Sequence, residues 1–264
     1  MSATHLAAEV SYQGSVVVCS NVVYRNGAVF CADAAGTWAN AVAVEDGVIV
    51  AVGGDDEIGR YAAHADEVVD LDGRLMLPGF VDAHVHPIQG GLERIRCDLT
   101  GGESATDYLT TIAAYAQSHP DRPWILGGGW SMPAFPGGTP TRQALDAVVP
   151  DRPVFLPNRD HHSAWVNTRA LELAGIDAGT PDPSDGRIER EPDGSPSGAL
   201  HEGAMDLVGR HVPADTPDNL LEGLAEAQRY LHSVGVVGWQ DAMVRHEGRG
   251  PGEHAAYLTA QAAG

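Results

Sequence analysis

The apolar positions change character once along the chain, at Leu75. Before it, from about residue 15, they fall in short β-rich runs broken by turn residues. Val16-Val17-Val18 comes first, and Val22-Val23-Tyr24 stops at Asn26-Gly27. Ala41-Val42-Ala43-Val44 and Val48-Ile49-Val50-Ala51-Val52 flank Glu45-Asp46-Gly47, and an Asp-Gly pair between apolar runs signals a tight hairpin. Val68-Val69-Asp70-Leu71 before Asp72-Gly73 closes the series. The runs predict a small antiparallel sheet or β-sandwich segment over residues 15–75, preceded by a disordered N-terminus over residues 1–14.

After Leu75, helical and buried-strand patterns alternate. Residues 107–117 read as a helix, Trp124-Ile125-Leu126 as a strand and Val154-Phe155-Leu156 as another. Gly127, Gly128 and Gly129 read as tight backbone packing beneath Trp130, not as a phosphate cradle. Residues 164–174 suit a helix with Ser163 as its N-cap and Gly175 as its stop. Residues 177–198, rich in Pro, Gly, Asp and Ser, predict loops or turns. A helix follows over 217–233, capped by Thr216, opened by Pro217, with Leu220, Leu224 and Leu231 on one face. Gly235 ends it, residues 236–241 form a buried strand, and a last helix begins at Glu253. Strands separated by helices predict parallel βα units. The expected class is therefore α/β, a partial TIM-like (β/α) barrel over residues 76–264 behind the β-sandwich segment. The strong strands after Leu75 are too few to close eight, and no strand returns after the last helix, so a truncated chain is expected.

Composition narrows the chemistry. At 264 residues with 43% hydrophobic content, the chain supports one large globular domain or two ordinary ones. All 16 basic residues are arginine, which excludes a Walker lysine, Schiff-base catalysis and a carboxylated-lysine metal bridge from within the chain. The net charge of -20 argues against nucleic acid or an anionic membrane as a partner and for a soluble surface. No apolar run approaches a membrane span, and the first residues lack the basic and apolar parts of a signal peptide, so a cytoplasmic location is expected. Cys19, Cys31 and Cys97 are widely spaced and read as reduced core residues.

The sharpest chemical pattern is Asp82-Ala83-His84-Val85-His86-Pro87. On a strand, residues two apart share a face, so His84 and His86 project together, with Asp82 on the same side. Pro87 has no N–H and ends the ladder behind them. Two neutral imidazoles side by side suit one divalent cation, and Asp82 would orient a ligand or take a structural hydrogen bond. The bare pattern also fits two ordinary histidines on a polar strand face.

Leu77-Pro78-Gly79-Phe80-Val81-Asp82, running into His84 and His86 after a β-rich segment, resembles the opening of the metal-dependent amidohydrolase superfamily. Further segments resemble its YtcJ-like branch, which includes N-substituted formamide deformylases. They are Trp124-Ile125-Leu126-Gly127-Gly128-Gly129-Trp130, Leu145-Asp146-Ala147-Val148-Val149-Pro150-Asp151-Arg152-Pro153-Val154 and His162-Ser163-Ala164-Trp165-Val166-Asn167, in that order. The resemblance implies a β-sandwich joined to a metal-bearing barrel that hydrolyses amide-type, non-peptide C–N bonds with a metal-activated water. It implies His84 and His86 as ligands of a divalent metal, with zinc the leading expectation, and a small amide-type molecule as substrate.

Glu202 matches an acidic position of the branch and is a third candidate metal ligand, or else a solvated carboxylate in the first turn of a helix. His162 is carried over as a catalytic candidate, whereas His161 stands where the branch has glycine. Asp241, at a strand end, is either a catalytic pocket residue or a loop anchor. Trp130, Phe135 and Trp165 read as core or as substrate contacts. The later histidine ligands and aspartate of the family have no counterpart here, since His246 and His254 fall in a loop and a helix start. That leaves an incomplete enzyme, a half-enzyme completed by a separately encoded second half, or a non-catalytic remnant, with a homo-oligomer as the other expected partner. A dihydroorotase-like or deaminase-like branch is the rival enzyme reading. A serine hydrolase lacks its elbow, because Gly194-Ser195-Pro196-Ser197-Gly198 has proline at the centre.

Overall fold

The computed structural model describes residues 21–244 and 252–263, so the 1–14 segment, Val16-Val17-Val18, Cys19 and His246 lie outside the described residues. The described residues divide into two compact units, 21–81 with Gly235–Gly238, and Asp82–Val234 with 239–244 and 252–263.

The first unit contains β1 (Val22–Arg25), β2 (Ala28–Phe30), β3 (Trp38–Ala39), β4 (Ala41–Glu45), β5 (Val48–Gly53), the single turn α1 (Asp55–Ile58), β6 (Glu67–Asp70) and β7 (Leu75–Met76). Its sheets run β5-β4-β1-β6 and β3-β2-β7. The β4–β5 hairpin forms where the Asp-Gly pair predicts it. Asp46 and Gly47 have φ of 48° and 75°, the left-handed pair that matches a hairpin to strand twist. Val23, Ala41 and Ala43 bury one face of this sheet against Ile58. The expectation of a small antiparallel sheet or sandwich segment is met by β4 with β1 and β5 and by β2 with β3, whereas β1 pairs parallel with β6 and β2 parallel with β7. Each parallel partner arrives after a long excursion through other elements, which a reading of adjacent runs does not register.

Strand β8 (Phe80–Val85) leads onward to α2 (Pro87–Ile95), β9 (Cys97–Asp98), α3 (Ala105–Ser118), β10 (Ile125–Gly128), α4 (Arg142–Asp146), β11 (Val154–Pro157) and β12 (Ser163–Val166). Then follow α5 (Thr168–Ala174), β13 (Gly186–Arg190), β14 (Pro196–Glu202), α6 (Met205–Gly209), α7 (Pro217–Ser233), β15 (Val236–Asp241) and α8 (Glu253–Ala263). Six strands form one sheet in the order β13-β14-β12-β11-β10-β9, and β15 pairs with β8. The architecture is mixed α/β.

Three expectations are corrected here. Residues 163–166 are a strand, and the helix starts only at Thr168, capped by the Asn167 side chain. Ala164, Trp165 and Val166 are buried on both faces between β11 and β14, so sheet pairing overrides their helical spacing. Residues 177–198, expected as loops, include β13 and the start of β14, a hairpin whose turn holds the Pro192 and Gly194 that suggested a loop. The sheet is parallel only from β9 through β11; β11, β12, β14 and β13 run antiparallel, because the short link between β11 and β12 reverses the chain without a crossover helix.

The core explains the tryptophan-rich motifs. Trp130, Phe135 and Trp165 pack edge to face with Tyr108 nearby, so they are core residues. Trp130 Nε1 donates to Leu156 O at 2.7 Å and Trp165 Nε1 to Thr141 O at 2.9 Å, so neither indole is left unpaired. Buried Asn167 fills all its positions. Its Oδ1 accepts from the N–H groups of Val154 and Ala170, and its Nδ2 donates to Val149 O and Arg152 O. Gly127 packs as expected, since a Cβ there would meet Cys97 O at 2.2 Å. Cys97 is a free thiol in this core, pushed up to about 12 by burial.

Helix α7 matches its predicted limits, and Thr216 accepts from the Asn219 N–H at 3.2 Å in a reciprocal capping box. It packs against α2, where a Cβ on Gly91 would lie 1.8 Å from Gly223 O. Ile88, Leu92, Leu220 and Leu224 seal that contact, which fixes α2 behind the histidine strand.

Candidate functional site

At the end of β8, period-two alternation places His84 and His86 together, with ring centroids 5.5 Å apart and planes at 78°. Pro87 begins α2 directly after them. Asp82 Oδ1 accepts the His84 backbone N–H at 2.9 Å, the structural hydrogen bond allowed for it above.

Asp241, the last residue of β15, lies beside His86. Its Oδ1 is 3.8 Å from His86 Nδ1 and accepts the Met243 N–H at 3.0 Å, while Oδ2 accepts the Tyr257 hydroxyl at 2.8 Å. The Asp241 side chain is only 8% exposed, so these partners stabilise its charge. Burial, then the bond to Asp241, pushes the Tyr257 phenol far above its ordinary range. His86 is 39% exposed as a side chain, yet its Nδ1 is buried and has no hydrogen-bond partner. Asp241 is thus both a loop anchor and a neighbour of the histidine pair.

A second cluster was not anticipated. Gln89 and Glu93 lie on one face of α2, three and seven residues after His86. Gln89 Nε2 is 3.0 Å from His161 Nδ1, and His161 Nε2 is 3.5 Å from Glu93 Oε2. His161 has a φ of 64°, the left-handed conformation that favours glycine and costs other residues about 1 kcal/mol. Burial pushes Glu93 up to about 7, against the pull of Arg96, and burial also lowers His161. Gln89, Glu93 and Arg96 line a cavity of about 200 Å³ with Pro157 and Asp215, and Arg96 is ion-paired to Asp215. The sequence signal was the three-and-seven spacing along α2; the partner across the fold was not visible.

His162 and Glu202 meet at the ends of the β11–β12 link and β14, with Nδ1 2.9 Å from Oε1. Their side chains are 67% and 57% exposed, and the bond to Glu202 raises His162. Glu202 ends a strand at a φ of 51°, which corrects the helix-turn alternative for it. Its side-chain partner is His162, and among the described residues no three His, Cys, Asp or Glu side chains converge as a metal cage. His254 sits in the first turn of α8. No helix of the described residues is long and apolar enough to cross a membrane.

Two imidazoles stand side by side, and the one on His86 has a buried carboxylate near its Nδ1. The model of the amidohydrolase family matches residues 67–263. This chain belongs to the amidohydrolase family. It is 34% identical to the putative amidohydrolase YtcJ of Bacillus subtilis, over 82% of this chain and 41% of that protein. It is also 34% identical to the N-substituted formamide deformylase of Arthrobacter pascens, over 83% of this chain and 42% of that one. The chain therefore spans less than half the length of these curated relatives. An uncharacterized metal-dependent hydrolase from Pyrococcus horikoshii shares the fold, with a TM-score of 0.60 and 21% identity over 92% of this amidohydrolase and 46% of that chain.

Proposed function

We propose that this amidohydrolase serves the metal-dependent hydrolysis of an amide-type, non-peptide C–N bond in a small molecule, and that its six-stranded sheet is part of a β/α barrel. The observation that carries this is the His84–His86 pair at the end of β8, with the buried, unbonded Nδ1 of His86 facing Asp241. The name of the formamide deformylase relative supports the choice of bond.

In this reading His84 and His86 hold a divalent metal, with zinc first among those that favour imidazole. Bound there, a metal would lower the pKa of a coordinated water towards about 7 and polarise a carbonyl. Glu202 is the further candidate ligand, and Asp82 stiffens the strand through the His84 backbone. His162, exposed and paired with Glu202, is the proton carrier that faces solvent and substrate. Asp241 keeps His86 in place within the pocket. The acidic chain, at a net charge of -20, suits a soluble cytoplasmic protein with a small-molecule substrate rather than a nucleic acid or membrane partner.

A second reading follows from the absence of a three-donor cage among the described residues. Two imidazoles leave a tetrahedral site half filled, so the remaining donors would come from outside the described residues, as in a half-enzyme that a complementing second chain completes. Elemental analysis of the purified 264-residue chain, with a His84→Ala/His86→Ala variant, separates the two. About one equivalent of zinc, lost in the variant, supports a site this chain assembles alone, and amide substrates follow. A folded chain with no metal overturns that and favours completion by a second chain.

A further inference from the structure

We propose that Tyr257 is a positioning residue that, through Asp241, holds His86 as the Nδ1–H tautomer and so leaves Nε2 free for a ligand. The inference rests on His86 as a metal ligand only for its consequence; the tautomer stands on the geometry of this chain.

The hydrogens along the path can be followed one by one. The Tyr257 hydroxyl is paired with the Trp239 side chain as well as with Asp241. An indole N–H only donates, so the hydroxyl oxygen accepts from Trp239 and its own hydrogen is committed to Asp241 Oδ2. Asp241 Oδ1 takes one hydrogen from the Met243 N–H and turns towards His86 Nδ1 at 3.8 Å. Both carboxylate oxygens are therefore tied down on a side chain that is almost closed to water.

His86 has two neutral tautomers. A lone pair on Nδ1 would face a buried carboxylate, whereas an N–H there would be attracted to it across 3.8 Å. The ring is partly exposed while Nδ1 is closed off, so the open edge carries Nε2. The carboxylate thus selects the tautomer whose free lone pair points outward, and Tyr257, from α8, keeps that carboxylate aimed. The pattern along the sequence hides this, because Tyr257 lies 16 residues beyond Asp241 on another element.

The test uses the full 264-residue chain without metal at pH 8, where histidines are neutral, and reads ring tautomers by long-range proton–nitrogen NMR. The His86 signals are identified from a His86→Asn variant. Wild-type protein should show His86 protonated on Nδ1. Tyr257→Phe, which removes only a hydroxyl, should shift it towards the Nε2–H form, and Asp241→Asn should shift it further. Zinc affinity, measured by competition with a chelating dye, should fall roughly tenfold in Tyr257→Phe. An Nε2–H form in the wild type, or a tautomer unmoved by Tyr257→Phe, overturns the proposal. Wild-type chain that binds no zinc but shows the expected tautomer response sinks the metal reading alone and leaves the Tyr257 assignment standing.

Discussion

Asn167 and His86 both present side-chain nitrogen to the interior, and their surroundings differ completely. Within the six-stranded sheet, Asn167 has every donor and acceptor filled by backbone groups. At the end of β8, His86 Nδ1 has no bond at all, and the nearest charge is a carboxylate 3.8 Å away. A polar group that serves the fold is saturated, because an unmet buried donor costs about 1–3 kcal/mol. A group that serves chemistry is aimed by one charged neighbour on its closed side and keeps its other edge open.

That contrast predicts a graded set of effects. Asn167→Leu strands four backbone groups together and should destabilise the protein by about 4 kcal/mol in urea unfolding. The His84→Ala/His86→Ala variant should change the same midpoint by less than about 1 kcal/mol, and equal losses would break the contrast. Gly91→Ala comes next. Its Cβ would drive α2 away from Gly223 of α7, at a cost of about 3 kcal/mol in thermal unfolding. If it folds, its metal affinity should also fall, because α2 follows His86 directly.

Glu93→Gln sharpens the comparison within the site. Burial raises the Glu93 carboxyl from 4.5 to about 7 in the folded protein. Its stabilising contribution is thus complete below about pH 4.5 and is lost as pH rises through 7. A neutral glutamine avoids that loss. Relative to wild type, the variant should gain about 3 kcal/mol between pH 4.5 and pH 8, measured as the difference in urea unfolding free energy. A gain with the opposite sign would place Glu93 as a stably ionised group. Thr216→Ala should cost only about 1 kcal/mol through the lost cap of α7.

How much could be read in advance depended on how local each cause was. The β4–β5 hairpin, helix α7 and strand β15 follow from turn chemistry, a cap with proline behind it, and an apolar run after a glycine, although β15 is half-exposed rather than buried as expected. Strand β12 was read as a helix because Ala164, Trp165 and Val166 become a strand only between β11 and β14. The β13–β14 hairpin was hidden in a segment whose composition describes its turn better than its strands. In the site, His84 and His86 were legible because the period of a strand puts them together. Asp241 was legible only as a strand end, and its partners Tyr257 and His86 were not visible.

By itself the sequence determined the local periods and turns, the histidine pair, the absence of lysine chemistry, and membership of a family through ordered motifs. Only the tertiary structure decided the mixed direction of the six-stranded sheet, the packing of Trp130 and Trp165 as core, and the convergence of Gln89 and Glu93 on His161. It also decided that Asp241 lies beside His86 with Tyr257 behind it. The physical reason is range. Dihedral preference, capping and strand alternation act over a few residues, whereas pairing of strands and burial of charge depend on groups that only folding brings together.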